Sequence, residues 1–185
     1  MAMARDEIEE YLKSLAYEVG KEWLEEVEGK RPTRLKPGSR NWRMIMAFKS
    51  LIERGFDPVL EERREKLRSR LKRVLAAVIA ERASRTKKEK EEAYNKALNL
   101  LPETKIDEWF NRAIKEYRGL LEDVYRRCLT MGLGERRLFG SRITRPYIYK
   151  IACADYAIDA AVEKLIEKDI SEEINELVEE VRRSL

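Results

Sequence analysis

The sequence contains no histidine and no glutamine. Without histidine, the chain lacks the commonest general base and the commonest metal ligand of proteins, which excludes histidine-based catalytic dyads and zinc sites. Short catalytic signatures are missing too: there is no phosphate loop of the GxxxxGK type, no GxGxxG, no HExxH, no CxxC and no GxSxG. We therefore expect no metal, no cofactor, no small-molecule substrate and no enzymatic activity.

Long apolar runs are also absent. No stretch approaches the roughly 18 to 20 apolar residues that cross a bilayer. The first ten residues include four acids, whereas a signal peptide would be basic and then apolar. The sequence therefore predicts no membrane span and no secretion by a signal peptide. We expect the protein inside the cell, in the cytoplasm or with the nucleoid, or inside a virus particle.

Only two cysteines occur, Cys128 and Cys153, and each lies in an apolar stretch with helical spacing. This setting is typical of buried, reduced thiols, and reduced thiols are our expectation. The alternative is a disulfide between two packed helices, which intracellular proteins of hyperthermophiles do contain.

Charged residues make up 40% of the 185-residue chain and hydrophobic residues 43%, with only eight glycines and five prolines. This balance is typical of long amphipathic helices, and no alternation of period two, which would indicate strands, is sustained. The length suits a single domain. Abundant Glu, Lys and Arg without Gln also indicate a thermophile, because ion-pair networks are favoured and labile amides are avoided at high temperature.

Helical periodicity and helix-breaking residues divide the chain into six or seven helices. The predicted segments are 5–28, 40–54, 58–101 as one helix or two collinear ones, a helix from 104 or 107 to Gly132, 146–166, and a last helix from 171. Basic loops lie at about 29–40 and 132–146. We expect an all-α fold, either a bundle or an orthogonal packing of these helices.

Several boundaries near the first basic loop have specific signals. Ser39 is the expected N-cap of the second helix, and Gly55 is expected to end it. Asp57 and Pro58 then predict a restart, with Asp as the cap and Pro at the first helical position. A helix, a glycine and a Pro-started helix also resemble a helix-turn-helix, but the second helix is far longer than a recognition helix.

Charge is distributed unevenly along the chain. Residues 1–29 include 3 basic and 9 acidic residues, a net charge of −6, and residues 155–185 include 4 and 10, again −6. Residues 30–56 include 8 basic and 1 acidic residue, net +7; residues 57–101 include 13 and 8, net +5; residues 135–154 include 5 and 1, net +4. Positive charge is therefore concentrated in the two predicted loops and the segments beside them.

Both basic loops combine cations with Gly or Pro and with aromatic residues nearby. Such segments are typical of contacts to nucleic-acid phosphates with aromatic support. The predicted nucleic-acid-binding residues are Lys30, Arg31, Arg34, Lys36, Arg40, Trp42, Arg43 and Lys49 around the first loop, and Arg136, Arg137, Arg142, Arg145 and Lys150 around the second. Because phosphate contacts carry no base identity, we expect binding without sequence specificity.

These patterns predict a structural protein that coats or packages nucleic acid, DNA in preference to RNA. A chromatin-like protein or a nucleocapsid or virion coat subunit of an archaeal virus would have these properties. The acidic segment 1–29 is expected to form an arm-like helix that docks on the next copy, which would give a homo-oligomer or a filament.

Three other interpretations stay open. In the first, the high charge is that of an ordinary thermophile surface and the loop arginines pair with the acidic ends of the same molecule, while several cations of the run from Arg63 to Arg73 are only solvated. In the second, the chain is a helical scaffold or adaptor, such as a small subunit of a ribonucleoprotein complex, and binds proteins through an apolar stripe at residues 8–27. In the third, it is an enzyme whose carboxylates Asp155 and Asp159 hold a divalent cation or share a proton, although pairing of these acids with arginines is the simpler expectation.

Overall fold

The computed structural model describes residues 40–139 and 146–185, and this part of the chain is helical almost throughout. Eight helices and no strand occur in these two ranges. They are α1 (Arg40–Arg54), α2 (Phe56–Glu62), α3 (Arg64–Ala83), α4 (Lys87–Leu100), α5 (Glu103–Glu116), α6 (Arg118–Phe139), α7 (Pro146–Lys168) and α8 (Ser171–Ser184). The all-α fold class is confirmed. The predicted helix 5–28, the N-cap Ser39 and the segment 29–39 lie outside the described residues.

The described residues form more helices than expected because two of the predicted helices are interrupted. The prediction of one helix or two collinear ones at 58–101 is wrong, since this stretch takes part in α2, α3 and α4. The helix expected to run on to Gly132 is divided into α5 and α6. At Arg63 (φ −121°, ψ 24°) and at Tyr117 (φ −109°, ψ 25°) the backbone leaves the helical region for a single residue.

α3 and α4 pack against each other, so they form a helical hairpin rather than a continuous rod. The Ser84 hydroxyl donates to the Ala80 carbonyl (2.7 Å) just after α3 ends. Thr86 caps α4 by accepting the amide of Glu89 (3.3 Å), and the Glu89 carboxylate accepts the amide of Arg85 (2.9 Å). The bonds accepted by Thr86 and Glu89 satisfy backbone amides that the start of a helix leaves without a partner.

The restart after α1 also differs from the prediction. Gly55 does end α1, as expected, with a left-handed φ of 76°. However, α2 begins at Phe56 and not at Pro58. Pro58 therefore lies inside the first turn of α2, where its missing amide hydrogen needs no helical partner.

α6 continues beyond its predicted end. It passes through Gly132 and Gly134 and reaches Phe139, so the loop predicted at 132–146 is helical in its first eight residues. A glycine inside a helix costs about 1 kcal/mol relative to alanine, which the packing of the rest of a long helix can offset. Arg136 and Arg137 are consequently helical residues.

The chain divides into two compact units. Unit 1 comprises residues 1–62 and 122–156, and unit 2 comprises residues 63–121 and 157–185. Among the described elements, α1 and α2 belong to unit 1, while α3, α4, α5 and α8 belong to unit 2. The helices α6 and α7 are each divided between the units, with one segment in unit 1 and the other in unit 2. The single domain expected from the length stays a prediction.

Unit 2 is built around α3, which packs against α4, α5 and α8. Two stripes of its side chains are buried: Leu67, Leu71, Leu75 and Ile79 on one, and Ala76, Ala80 and Ala83 on the other. Each fully buried Leu or Ile contributes roughly 1.5 to 3 kcal/mol, and the small alanines allow neighbouring helices to approach closely. Burial on two sides of α3 explains how it packs against three helices.

Unit 1 is held together by edge-on aromatic contacts. Phe48 of α1 meets Tyr149 of α7 with 5.4 Å between ring centroids. Phe56 of α2 meets Tyr125 of α6 at 5.6 Å. Phe48, Phe56 and Tyr125 are almost completely buried, so these contacts attach α1 and α2 to the long helices.

A disulfide joins α6 to α7 within unit 1. Cys128 and Cys153 are bonded, with their Cα atoms 5.4 Å apart. The expectation of reduced thiols is therefore wrong, and the alternative of a disulfide between packed helices holds. Helical spacing places each thiol on an inner face but does not reveal which residue faces it. With a sequence separation of 25, the chain-entropy model gives a stabilisation of about 3.5 kcal/mol.

Candidate nucleic-acid interface

The predicted binding residues fall into three groups by location. Lys30, Arg31, Arg34, Lys36, Arg142 and Arg145 lie outside the described residues. Arg40, Trp42, Arg43 and Lys49 lie on α1, Arg136 and Arg137 near the end of α6, and Lys150 on α7. The described members thus belong to three helices of unit 1.

α1 follows directly after the first basic segment. Its inner face is fixed by Phe48 and Ile52, which are fully buried. Arg43 and Met46 are exposed, and Lys49 is half-buried. The helix therefore presents an arginine and an apolar side chain to water on its outer surface, immediately after the basic segment 30–40.

The corner between α1 and α2 is positioned by a buried carboxylate of α6. The amide of Phe56 donates to both oxygens of Glu122, each at 3.1 Å. Glu122 also lies 3.4 Å from the guanidinium of Arg126, and the two side chains are only 10% and 8% exposed. A buried charge is tolerated when it is paired and hydrogen-bonded in this way.

Only a glycine fits at this corner. A Cβ atom on Gly55 would lie 2.8 Å from a Glu122 oxygen and 2.9 Å from Nη2 of Arg126. The left-handed φ of 76° also disfavours other residues. Next to it, burial raises the pKa of Tyr125, and the nearby carboxylates of Glu122 and Glu62 raise it further. The cluster is a structural anchor that keeps α1 on α6.

Lys150 makes contacts within unit 1. Its Nζ donates to Glu62 of α2 (2.8 Å) and lies 4.8 Å above the ring of Tyr147, and its side chain is 15% exposed. This geometry connects the start of α7 to α2. The charge of Lys150 is therefore balanced by an acid of the same unit, which weakens its electrostatic attraction for a phosphate.

In the sequence, the two bonded cysteines flank the second basic segment, residues 136–145. Cys128 precedes Arg136 by eight residues, and Cys153 follows Lys150 by three. The bond therefore ties together the helices that precede and follow the segment in the chain. The sequence offered this bond only as the alternative to reduced thiols, since two cysteines 25 residues apart do not by themselves define a bridge.

In unit 2, several cations of the basic run of α3 are bound to acids of that unit. Arg68 binds Glu103 and Asp107, both at 2.5 Å, and Lys72 also binds Glu103 at 2.5 Å. The hydrogen bond from Lys72 and then that from Arg68 lower the pKa of Glu103 to about 2. Arg64 donates to Asn111 and lies over the ring of a neighbouring phenylalanine. Arg68 and Lys72 are therefore paired with acids of unit 2, whereas the sequence led us to expect solvated cations at several positions of this run.

Asp159, one of the two carboxylates considered for a metal site, is bound to an arginine. Both oxygens of Asp159 accept from the Arg70 guanidinium, at 2.9 and 2.7 Å. No group of three or more His, Cys, Asp or Glu side chains that could hold a metal ion occurs among the residues that the structure describes. Asp159 therefore makes a structural ion pair.

A second basic cluster, which the sequence reasoning did not single out, lies at the turn between α3 and α4. The guanidinium of Arg182 in α8 donates to the Arg82 carbonyl at 2.8 Å, which brings the two helix ends together. The exposed cations here are Arg82, Arg85, Lys87, Lys88 and Arg183. Acids are interspersed among them: Glu81 pairs with Lys90, and Glu179 pairs with Arg182. We call these five cations the turn cluster.

Unit 2 also contains a groove of about 510 Å³ between α3 and α7. Its floor is aliphatic, and its rim carries Arg82 and the three acids Asp159, Glu163 and Glu167; the floor residues are Val74, Val78, Val162 and Ile166. A rim with a majority of carboxylates repels phosphate, so this groove is unsuited to a nucleic-acid backbone.

Two further findings bear on function. Within the described ranges, no helix is both long enough and apolar enough to cross a membrane. No protein-family model, no curated protein and no solved structure matches the chain.

Proposed function

We propose that this protein is a sequence-nonspecific nucleic-acid-binding structural protein that coats or packages DNA through the basic segments of unit 1. A nucleocapsid subunit, a virion coat subunit and a chromatin-like protein all fit this description. The observation that carries the proposal is the separation of paired from acid-free positive charge. It distinguishes the candidate segments of unit 1 from the basic run of α3, several of whose cations are bound to carboxylates.

The acid-free charge lies in two short segments. Residues 30–40 include five basic residues and no acid, and residues 136–145 include four basic residues and no acid. By contrast, Arg68, Arg70 and Lys72 of α3 are bound to carboxylates of unit 2. A segment that includes no acid has a higher density of positive charge than one that does, which favours contacts with phosphates. These two segments are therefore the best candidates for backbone contacts.

The anchoring of unit 1 also supports the proposal. The Glu122 anchor positions α1, which the first segment leads into, and the disulfide ties the helices on both sides of the second segment. Segments held at their ends lose less conformational freedom on binding than free tails do. Binding to phosphates through such segments requires no base contact and no deep pocket.

A second candidate function is a helical scaffold or adaptor for protein partners. The observation in its favour is the apolar outer surface of α7, where Ile148 and Tyr156 are 53% and 63% exposed. Exposed apolar surface of this kind commonly marks a protein interface. The two functions make different predictions about salt, because phosphate contacts weaken steeply with ionic strength and apolar contacts do not.

The test is a set of salt titrations with the full-length protein. Affinity would be measured for a mixed-sequence duplex, the matching single strand and an RNA of the same sequence, from about 50 to 200 mM salt. The proposal predicts binding with little sequence preference and a loss of roughly 10³-fold or more over that range if six or more phosphates are contacted. Absence of binding to all three polymers at the lowest salt would reject it and favour the scaffold.

A further inference from the structure

Most side chains of the α7 segment in unit 1 are apolar, on its inner side and on its outer side alike. On the inner side, Tyr149 contacts Phe48, Lys150 binds Glu62, and Cys153 is bonded to α6. The outer side, which we call the open face, consists of Ile148, Ile151, Ala152 and Tyr156. Ile148, Ala152 and Tyr156 follow each other at four-residue steps, so they lie on one side of the helix.

The open face is unusual for a water-facing helix surface in this chain. Ile148 and Tyr156 are 53% and 63% exposed, Ala152 is exposed, and Asp155 is the one charged residue among positions 151–156. The exposed residues of α8, by comparison, are all polar or charged and include five acids: Glu172, Glu173, Glu176, Glu179 and Glu180. Because a helix that is apolar on all sides is normally buried, the open face is expected to be covered by another surface.

The chemistry of the open face points to an apolar helix as its partner rather than to nucleic acid. None of its four residues carries a cation, and Asp155 beside it would repel phosphate. The sequence predicts a helix with a matching surface at residues 5–28, which we call the arm. The arm carries an apolar stripe at three- and four-residue steps, formed by Ile8, Leu12, Leu15, Val19, Trp23 and Val27.

The length and position of the connecting segment bring the arm within reach of the open face of a neighbouring copy. Eleven residues, 29–39, join the arm to α1 and span up to roughly 36 Å when extended. α1 itself contacts α7 through Phe48 and Tyr149. The arm therefore leaves the chain from the same unit that carries the open face. Tyr156 is 63% exposed, so the open face offers apolar surface to a partner.

We propose that the open face of α7 receives the arm of a second copy of this chain. Apolar burial of Ile148 and Tyr156 against the stripe of the arm drives the contact, and Ala152 between them lets the two helices approach closely. The contact is heterologous, because an arm and a face are different surfaces. Repetition from copy to copy gives a closed ring or an open filament. This inference goes beyond nucleic-acid binding and is tested without any nucleic acid.

The experiment uses full-length protein and two disruptive substitutions. Leu15→Glu places a charge in the stripe of the arm and leaves the open face intact. Tyr156→Glu places a charge in the open face and leaves the arm intact. Ala77→Glu, at an exposed position of α3 in unit 2, is the matched control. Sedimentation velocity over a concentration series reports the assembly state, and circular dichroism confirms folding of each variant.

The proposal predicts concentration-dependent assembly of the wild type and of Ala77→Glu, and about tenfold or greater weakening for Leu15→Glu and for Tyr156→Glu. The decisive sample is an equimolar mixture of the two disruptive variants. One intact arm and one intact face remain in the mixture, so it should form a 1:1 heterodimer that neither variant forms alone.

Three results would overturn the proposal. The first is a wild-type protein that stays monomeric at all concentrations. The second is assembly that is lost in Tyr156→Glu and unchanged in Leu15→Glu, which would mean that the open face pairs with its own copy. The third is a mixture without heterodimer, which would mean that the arm binds elsewhere or within its own chain.

Discussion

Unit 1 and unit 2 present different surfaces to water. Among the described residues, six large hydrophobic side chains are exposed, and five of them belong to unit 1: Met46, Met131, Tyr147, Ile148 and Tyr156. The sixth, Leu185, follows the last helix of unit 2. Unit 2 instead surrounds an aliphatic core with ion pairs such as Arg70–Asp159. The difference indicates that unit 2 is stabilised by its own interior, whereas unit 1 exposes more of its apolar side chains to water.

The interiors differ in the same way. Unit 2 relies on the leucine and alanine stripes of α3, which are additive and tolerant of small changes. Unit 1 relies on specific interactions: the buried Glu122–Arg126 pair, a glycine in a left-handed conformation that other residues rarely adopt, and a disulfide. Single substitutions should therefore have larger effects in unit 1 than chemically matched substitutions in unit 2.

The largest difference is expected for loss of a carboxylate. Glu122→Ala removes the acceptor of the Phe56 amide and leaves the buried Arg126 without this acid, which should cost about 3 to 5 kcal/mol of unfolding free energy. Asp159→Ala removes a partly exposed partner of Arg70 and should cost about 1 kcal/mol. Equilibrium unfolding in guanidinium measures both. Equal losses would contradict the contrast between the units.

Loss of the disulfide should cause the next largest loss of unfolding free energy. Replacing both Cys128 and Cys153 by serine should lower the unfolding free energy by about 3.5 kcal/mol, because the unfolded chain regains the entropy of the open loop. A reducing agent should shift the melting temperature of the wild type downward and leave that of the double variant unchanged. A wild-type melting temperature indifferent to reduction would argue against the bridge.

Matched glycine substitutions test the corner of unit 1. Gly55→Ala introduces a Cβ at 2.8 Å from Glu122 at a left-handed φ, and about 2 to 3 kcal/mol should be lost. Gly119→Ala in the unit 2 segment of α6 has no atom within 4 Å of the new Cβ. It should leave stability unchanged or raise it by up to about 1 kcal/mol. Similar effects of the two changes would refute the role assigned to Gly55.

A small effect with a defined pH dependence is expected in unit 2. Tyr117 donates to Asp169 at 2.5 Å, and this hydrogen bond, followed by burial, raises the pKa of Tyr117 to about 12. The bond therefore contributes fully below the ordinary tyrosine pKa of 10.0 and is lost as pH rises through about 12.

The matched variant is Tyr117→Phe, which should lose about 1 kcal/mol or less at neutral pH, because the group is partly exposed. The difference between wild type and variant should shrink between the two pKa values. Unfolding experiments across this pH range provide the measurement, and a difference that stays constant would show that the hydroxyl does not act through this bond.

The sequence predicts the helical class and several helix ends because these depend on local signals. Gly55 ends α1 as its position indicates, and the Thr86–Glu89 spacing of a capping box was available to place the start of α4. The Glu122–Phe56 bond joins residues 66 apart, and no local pattern reveals such a partner. The same holds for the disulfide, and α6 passes through Gly132 although glycine tends to end a helix.

The candidate site was predictable only as a distribution of charge. Runs of cations are visible in the sequence, but whether a cation is paired depends on the acids that the fold brings to it. Arg68 and Lys72 share Glu103 across more than 30 residues, and Lys150 finds Glu62 across 88. The turn cluster was overlooked because Arg182 and Arg82 are 100 residues apart.

The proposed function requires that the acid-free segments of unit 1, and not positive charge in general, bind nucleic acid. The direct test compares two variants that each lose three cations. One is Arg31→Ala, Arg34→Ala, Lys36→Ala in the first basic segment, and the other is Arg85→Ala, Lys87→Ala, Lys88→Ala in the turn cluster. The measurement is the slope of log affinity for a mixed-sequence duplex against log salt.

Each lost phosphate contact reduces the steepness of that slope by about 0.9. The proposed function predicts a reduction of roughly 2 to 3 for the variant in the first basic segment and no change for the variant in the turn cluster. Equal reductions in both variants, or no reduction in the first, would contradict it.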